Sequence, residues 1–587
     1  MNIAPLMIVV WESGSGISER LSAFLEKFAR SQNVAKLLDG EGLTVLGDAG
    51  APHLVLKDGS GVVWGTLFDR PTNARVTDAA NVERRIPVAR FLTRYWGGYL
   101  FVRSSNGSVE LCREPSGAIP CYRARIDGAE IFTTRPRLLI DAGLLRPEID
   151  WTVIAQSLIY RDLRPARTAL RGIDELMPGT TATVERGAVR VGISWSPWDH
   201  ATPASEIAPH DEAVERVRQA ATGCVAAWGD CFERPLIELS GGLDSSIVAA
   251  ILSQTSARPH CVTFASVKGD PDETPYARAV ADHLGFPFEV LNPDIPAVDL
   301  TRSQAADLPR PSARAFAQAH DSVLRAAAAR VGADAFFSGG GGDNVFAYLK
   351  SVLPVIDHWR RGGAGLFATI NDIASVAEVS LWAVVAASVR RALRMRAAKR
   401  WMTDERFVGR AATEQLPFPH GHPWVDAPAS VLPGKRVHGH AMIVIQNHLE
   451  GFDRLHDAPI ISPLISQPLV ETCMAIPTWL WCAGGANRAV ARQALADRLP
   501  SMVIDRRTKG AFDAYCARVF DANRGVAREM LMQGMLAEQG LIDTGQIAAA
   551  LAPGTVPRSE MLRLLDLADV EAWACGWSGE AISVLAP

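Results

Sequence analysis

The chain has 587 residues, of which 48% are hydrophobic and 21% charged, and a net charge of −4. That length predicts two to four domains with enough apolar material for each core. The near balance of charge argues against a nucleic-acid binder over the whole chain, and the composition is that of a folded globular protein.

Residues 1 to about 200 read as strand-rich. Short apolar runs such as Met7–Trp11, Gly98–Val102 and Ala182–Val184 alternate with Gly, Asn, Asp and Pro turn signals. This predicts sandwiched antiparallel sheets. A Pro- and Asp-containing stretch from Trp195 to Pro209 reads as a linker, which sets expected domains at 1–205 and 206–587.

From about 210 the pattern changes. A helix over 211–228 leads to a strand at 236–239, a glycine loop, and a helix over 244–255. Strand 261–264, helix 273–284, strand 288–291, helix 313–331 and strand 335–337 follow. Strands alternating with helices of this length predict right-handed βαβ units, a parallel sheet, and hence an α/β fold class. Ligands of such sheets bind at the carboxyl ends of the strands, near the switch in strand order.

Two loops fall at such ends. The first is Ser240-Gly-Gly-Leu-Asp244-Ser-Ser246. Gly241 and Gly242 let the backbone curl, so that N–H groups and the following helix N-terminus can face one anion. Ser240, Ser245 and Ser246 add hydroxyls, and Asp244 adds a hard oxygen suited to magnesium. The Walker spacing is absent. The second loop, Ser338-Gly-Gly-Gly-Gly-Asp343, repeats the logic, with Ser338, Gly339 and Gly340 beside a carboxylate. Alone it could be a flexible turn. Paired with the first, it makes a cradle for a magnesium–triphosphate group.

Residues 350–580 read as mostly helical. The longest apolar stretch, 373–389, contains Glu378 and falls short of the ~20 residues that span a bilayer, so it reads as a buried helix with no membrane span. Six basic residues crowd 390–400. They read either as a solvated helix face or as a docking surface for an acidic partner. His438, His440, His448 and His456 lack the one-turn spacing of a helical metal pair. Nine dispersed cysteines without C-x-x-C read as reduced thiols, and Met1–Pro5 shows neither basic n-region nor cleavage site. Both features predict a cytoplasmic protein.

The first loop resembles the pyrophosphate loop of the N-type ATP pyrophosphatases, which cleave ATP between its α- and β-phosphates. The two loops together resemble the synthetase domain of asparagine synthetase B and its relatives, the β-lactam synthetases and lasso peptide cyclases. The family's second loop reads Ser-Gly-Glu-Gly-Ser-Asp-Glu. Here Gly340, Gly342 and Asn344 replace three of those residues, while Asp343 remains. The resemblance implies ATP across both loops, Mg2+ held by Asp244 and Asp343, and adenine against the backbone around Val262–Phe264. A third match, Arg506-Arg-Thr-Lys509-Gly-Ala-Phe-Asp513, extends upstream through Asn487–Arg492 and Leu499-Pro500. It implies that Lys509 contacts phosphates in the adenylation transition state. On physics alone Lys509 would be a surface lysine.

The front third matches as well. Arg113-Glu-Pro-Ser-Gly117-Ala-Ile-Pro120-Cys-Tyr122 and Glu175-Leu-Met-Pro178-Gly179 are similar to family segments of an N-terminal-nucleophile glutaminase. An Ntn-hydrolase-like αββα sandwich is thus implied ahead of an ATP-pyrophosphatase domain. The family's nucleophile is a cysteine at position 2, with its own α-amine as base. Asn2 stands there in this chain, so glutaminase chemistry is expected to be gone. The fold can persist without it.

A relative without glutaminase must take its nitrogen elsewhere. The resemblance therefore implies a lasso peptide cyclase, joining a peptide's N-terminal amine to an Asp or Glu side chain. Its partners would be a precursor core peptide and a leader peptidase or leader-recognition protein. The alternatives are an ammonia-using amide ligase or a β-lactam-type synthetase, and, from another class, a catalytically dead scaffold. Pro459 stands where asparagine synthetases carry a Glu. Tyr348 and Glu450 have no assigned place in the Tyr–Glu pair of the β-lactam enzymes. Retention of Asp244, Asp343 and Lys509 speaks against the scaffold.

Overall fold

The structure is a computed structural model that describes residues 4–12, 16–31, 33–83, 86–105, 107–312, 314–395, 400–413, 416–507, 513–552 and 556–579. Lys509 and Asn2 lie outside the described residues.

Two six-stranded antiparallel sheets form the N-terminal part. The first runs in the order 173–175, 122–126, 129–133, 6–10, 43–48, 34–40. The second runs 188–193, 180–185, 108–113, 95–105, 61–69, 53–55. Ile8, Val10 and Val45 of one sheet interlock with Val62, Trp64, Val102 and Leu111 of the other. The alternate residues Met7, Val9 and Leu46 face helix Glu19–Ala29. Strand Leu6–Val10 is buried on both faces, which is why Leu-Met-Ile-Val-Val is uniformly apolar rather than alternating. The second sheet turns Phe68, Trp96 and Phe101 outward onto helices Val88–Arg94 and His210–Gly229. The layering is therefore α, β, β, α, as expected.

A five-stranded, all-parallel sheet follows, in the order Phe288–Leu291, His260–Phe264, Pro235–Glu238, Ala335–Phe337, Ile460–Ile461. The order reverses between Pro235–Glu238 and Ala335–Phe337. Their register pairs Ile237 with Phe337, which brings the loops after them side by side at the switch point. Fold class is thus α/β, with an antiparallel sandwich ahead of a parallel sheet.

Two sequence expectations change. The stretch read as a linker is packed rather than free. Trp195 and Trp198 are buried, and Trp195 Nε1 donates to Glu471 at 2.8 Å. Neither is 373–389 one buried helix. It is two helices, Leu366–Ala377 and Leu381–Arg394, bent by 104°. The chain turns at Glu378, in left-handed conformation (φ 54°), and Ser380 caps the second helix by accepting from Ala383 N–H. The inner faces pack Ile373, Ala374 and Val384 on Val355 and Cys482, while Trp382 and Leu393 stand outside. Among the described residues no single helix is long and apolar enough to cross a membrane.

Candidate active site

The first loop is built by its own side chains. Gly241 takes φ 64°, and a Cβ there would strike Tyr276 and Ala277, so only glycine makes this turn. Ser240 Oγ accepts from Gly242 N–H at 3.3 Å and lies 3.2 Å from Ser245 Oγ. Helix Leu243–Leu252 begins at once, with Gly242 as its cap. Ser246 is fully buried and does not line the cleft.

The second loop lies directly against the first. A Cβ on Gly339 would meet the backbone of Ser245, and one on Gly342 would meet the Asp244 side chain. These glycines are present because two backbones must approach closely. Asn344, where the family has Glu, donates through Nδ2 to the carbonyl of Ala441 at 2.9 Å and so ties the loop to helix Pro433–Gln446.

Between the loops lies a cleft of about 270 Å³. Ser240, Gly242, Asp244, Ser245, Ser338, Gly339, Gly340 and Asp343 line it, whereas Gly241 does not. Asp244 and Asp343 converge on one cation. Arg488 Nη1 donates to Asp244 Oδ1 and Oδ2 at 2.9 and 2.8 Å and to Asp343 Oδ1 at 2.7 Å. Arg488 is 5% exposed, sits in left-handed conformation (φ 56°), and lies 5.1 Å from the Tyr348 ring centre. Arg506 joins the rim: it donates to Glu273 at 2.8 Å and to the carbonyl of Gly241 at 3.3 Å, over the ring of Tyr276. Arg492 holds the segment in place through the carbonyls of Asn487, Ile504 and Arg506.

A two-carboxylate set suits magnesium, which keeps waters and takes its remaining ligands from phosphates. The two aspartates already hold a positive group between them, so the donor chemistry fits. Among the described residues no cluster of three or more His, Cys, Asp or Glu forms a metal site. His438 and His440 instead meet the carbonyls of Val345 and Val425 at 2.8 and 2.9 Å.

A smaller cavity adjoins the cleft, sharing Glu238, Ser240 and Glu273 with it. Thr263, Phe264, His320 and Tyr515 line it. The Phe264 ring meets His320 edge-on at 4.2 Å, and His320 meets Tyr515 at 4.3 Å. Burial lowers the imidazole of His320 to about 4, so it is neutral at pH 7. Val262 is different. Its side chain is in the core with Leu236 and Leu291, and its carbonyl accepts from Leu239 N–H at 2.8 Å. Within the expected 262–264 segment, the cavity is reached by Thr263 and Phe264. Burial raises the Glu238 carboxyl above its ordinary range.

Sequence reasoning quoted the segments that carry Arg488 and Arg506 but gave neither a role. No spacing signals them, because their partners come from distant loops.

The chain matches the asparagine synthase family over residues 224–574, well over half its length. It belongs to the asparagine synthase family. The matched span contains both glycine loops, Asp244, Asp343, Arg488 and Arg506. A comparison with curated proteins finds no match. Two solved structures resemble the chain weakly. One is a glutamine phosphoribosylpyrophosphate amidotransferase from B. subtilis complexed with ADP and GMP, at 10% identity and TM-score 0.21, covering 49% of this chain and 65% of that one. The other is the allosteric regulatory enzyme of purine biosynthesis, at 9% identity and TM-score 0.19, covering 49% and 59%. The chain thus spans less than two thirds of either. Scores this low support no structural argument.

The N-terminal segments that resemble a glutaminase serve here as a joint. Arg113 donates to Glu175 at 2.7 Å and to the carbonyls of Leu176 and Gly117. Arg164 and Arg310 reach the same Glu175, at 2.8 and 2.7 Å. Arg164 also pairs with Glu450, which accepts from Tyr122 Oη at 2.6 Å. All of these side chains are buried, and the three arginines hold the Glu175 carboxyl well below the usual range against the opposing effect of burial.

Proposed function

We propose that this protein is an ATP-dependent amide ligase that closes a macrolactam in a peptide, as the lasso peptide cyclases do. A carboxylate oxygen of a peptide Asp or Glu attacks the α-phosphorus of ATP. The bond from that phosphorus to the bridging oxygen breaks, and pyrophosphate leaves. The peptide's α-amine then attacks the acyl carbon, loses a proton, and expels AMP. The net change is one water removed from the peptide and one ATP converted to AMP and pyrophosphate.

The chain's own groups have distinct tasks. Ser240, Gly242, Ser245, Ser338, Gly339 and Gly340 position the phosphates. Asp244 and Asp343 would hold magnesium, which supplies charge neutralisation on phosphate oxygens. Arg506 and Lys509 stabilise charge growing on the leaving group, as preorganised donors do. Thr263 and Phe264 seat the base of the nucleotide. Much of the second step is proximity, from holding amine and acyl group together.

The observation that carries this reading is an intact two-carboxylate cradle in a chain whose N-terminal sandwich offers no reactive thiol. Cys112 and Cys121 are fully buried, and burial pushes both thiols up to about 12. A thiol held protonated is no nucleophile, which favours an amine that comes with the substrate over one released from glutamine. The β-lactam alternative draws no support, since Glu450 is committed to Arg164 and Tyr122 while Tyr348 stacks on Arg488.

The test is mass spectrometry on a leader-free peptide with a free N-terminus and an internal Asp or Glu, incubated with ATP and magnesium. A product lighter by one water, with AMP and pyrophosphate, is expected, and N-terminal acetylation should prevent it. Glutamine should not be hydrolysed. Consumption of glutamine or ammonia, with Asp converted to Asn, would establish the ammonia-ligase reading instead.

A further inference from the structure

The helix Leu381–Arg394 carries two unlike faces. Val384 and Ser388 are buried against the protein. Trp382, Ala386, Val389 and Leu393 recur at steps of four, three and four, which places them on one stripe of a 3.6-residue helix. That stripe points to solvent: Trp382 is 81%, Val389 56% and Leu393 76% exposed. Arg390 and Arg394 run along its border, and Arg391 is exposed as well. No acidic residue occurs between Val379 and Thr403, a stretch with six Lys and Arg.

A soluble globular surface rarely leaves a Trp–Val–Leu stripe open to water. A protein interface on it would need roughly one hydrogen bond per 100–200 Å². The stripe offers no amide, hydroxyl or acid, only the guanidinium groups at its edge. A lipid surface asks for no more than an apolar face and positive charge. The 14-residue helix is roughly 21 Å long, short of a ~30 Å hydrocarbon core, and its inner face is held by the protein. It can lie in an interface but not cross it.

We propose that this helix docks the protein on an anionic phospholipid bilayer, with Trp382, Val389 and Leu393 in the headgroup–acyl boundary and Arg390 and Arg394 among the lipid phosphates. The inference is independent of which amide the active site forms.

The test is flotation of the full-length protein with vesicles of phosphatidylcholine, with or without phosphatidylglycerol. Binding is expected to the anionic vesicles only and should weaken as salt rises. A Trp382→Glu, Leu393→Glu double variant should fail to float while keeping wild-type ATP–pyrophosphate exchange. Replacing Arg390 and Arg394 by Gln should weaken binding on the order of thirtyfold. Three outcomes would overturn the proposal. One is no binding of wild-type protein to anionic vesicles. Another is equal binding to neutral vesicles that ignores the substitutions. The third is a dimer in solution that the Trp382→Glu, Leu393→Glu variant dissolves, since a second copy would then cover the stripe.

Discussion

Asp244 and Asp343 accept hydrogen bonds from the same nitrogen, Nη1 of Arg488, at 2.8 and 2.7 Å. One buried guanidinium thus neutralises two carboxylates brought together from separate loops. Without a cation they would repel, because like charges in a partly desolvated site are costly.

The first prediction follows from this sharing. In Arg488→Ala the two carboxylates lose their resident charge, so magnesium chloride alone should raise the variant's melting temperature by several degrees. The same salt should hardly move the wild-type protein, whose arginine occupies the position. Differential scanning calorimetry with and without magnesium reads the difference. Equal shifts would mean that Arg488 does not compete for the site.

A second prediction concerns the carboxylates themselves. Asp244→Asn and Asp343→Asn should each reduce ATP–pyrophosphate exchange on the order of 100-fold or more. Both residues sit in the first turn of a helix and line the cleft rather than a core, so circular dichroism and melting temperature should stay near wild type. Wild-type exchange in either variant would remove that residue from the magnesium site.

The third concerns Lys509, which lies outside the described residues and rests on the family resemblance of Arg506–Asp513. A group that acts mainly on the transition state lowers kcat more than it weakens binding. Lys509→Ala should therefore cost on the order of 100- to 1000-fold in kcat with ATP affinity, by calorimetry, little changed. A loss confined to KM would reassign it to ground-state binding.

How much of this was legible beforehand depends on how local the cause is. Strands Phe288–Leu291 and Ala335–Phe337 were readable because short β-favouring runs there end abruptly at glycine or proline. The two loops were readable because glycine is required wherever backbone meets backbone, as Gly339 meets Ser245. The role of Arg488 was not, since its partners come from elsewhere in the chain. Nor was the fate of Trp195, whose partner Glu471 belongs to a helix far along the sequence. The break at Glu378 left a clue in Ser380, a good helix cap, but the apolar run around it hid the signal.

A fourth prediction turns on pH. Lys435 is buried in helix Pro433–Gln446, and its Nζ donates to the carbonyl of Cys473 at 3.3 Å. Burial lowers its ammonium from 10.5 to about 7. Between those values the unfolded chain holds a proton that the folded chain lacks, so this group's contribution to stability rises with pH through that window. Lys435→Met, similar in volume and uncharged, should raise the melting temperature at pH 7 and flatten the rise toward pH 9. The difference between variant and wild type isolates this residue from other groups. Parallel profiles would show that Lys435 stays charged when folded.

The knot of Arg113, Arg164 and Arg310 on Glu175 has a consequence for descent. Deleting the N-terminal sandwich would strip Glu175 from Arg310 and Tyr122 from Glu450, leaving charges buried and uncompensated in what remains. A lineage could not discard the sandwich in one step without crippling the other half. The sandwich is held by a ratchet: its removal stays forbidden until Arg310 and Glu450 on the far side are replaced first.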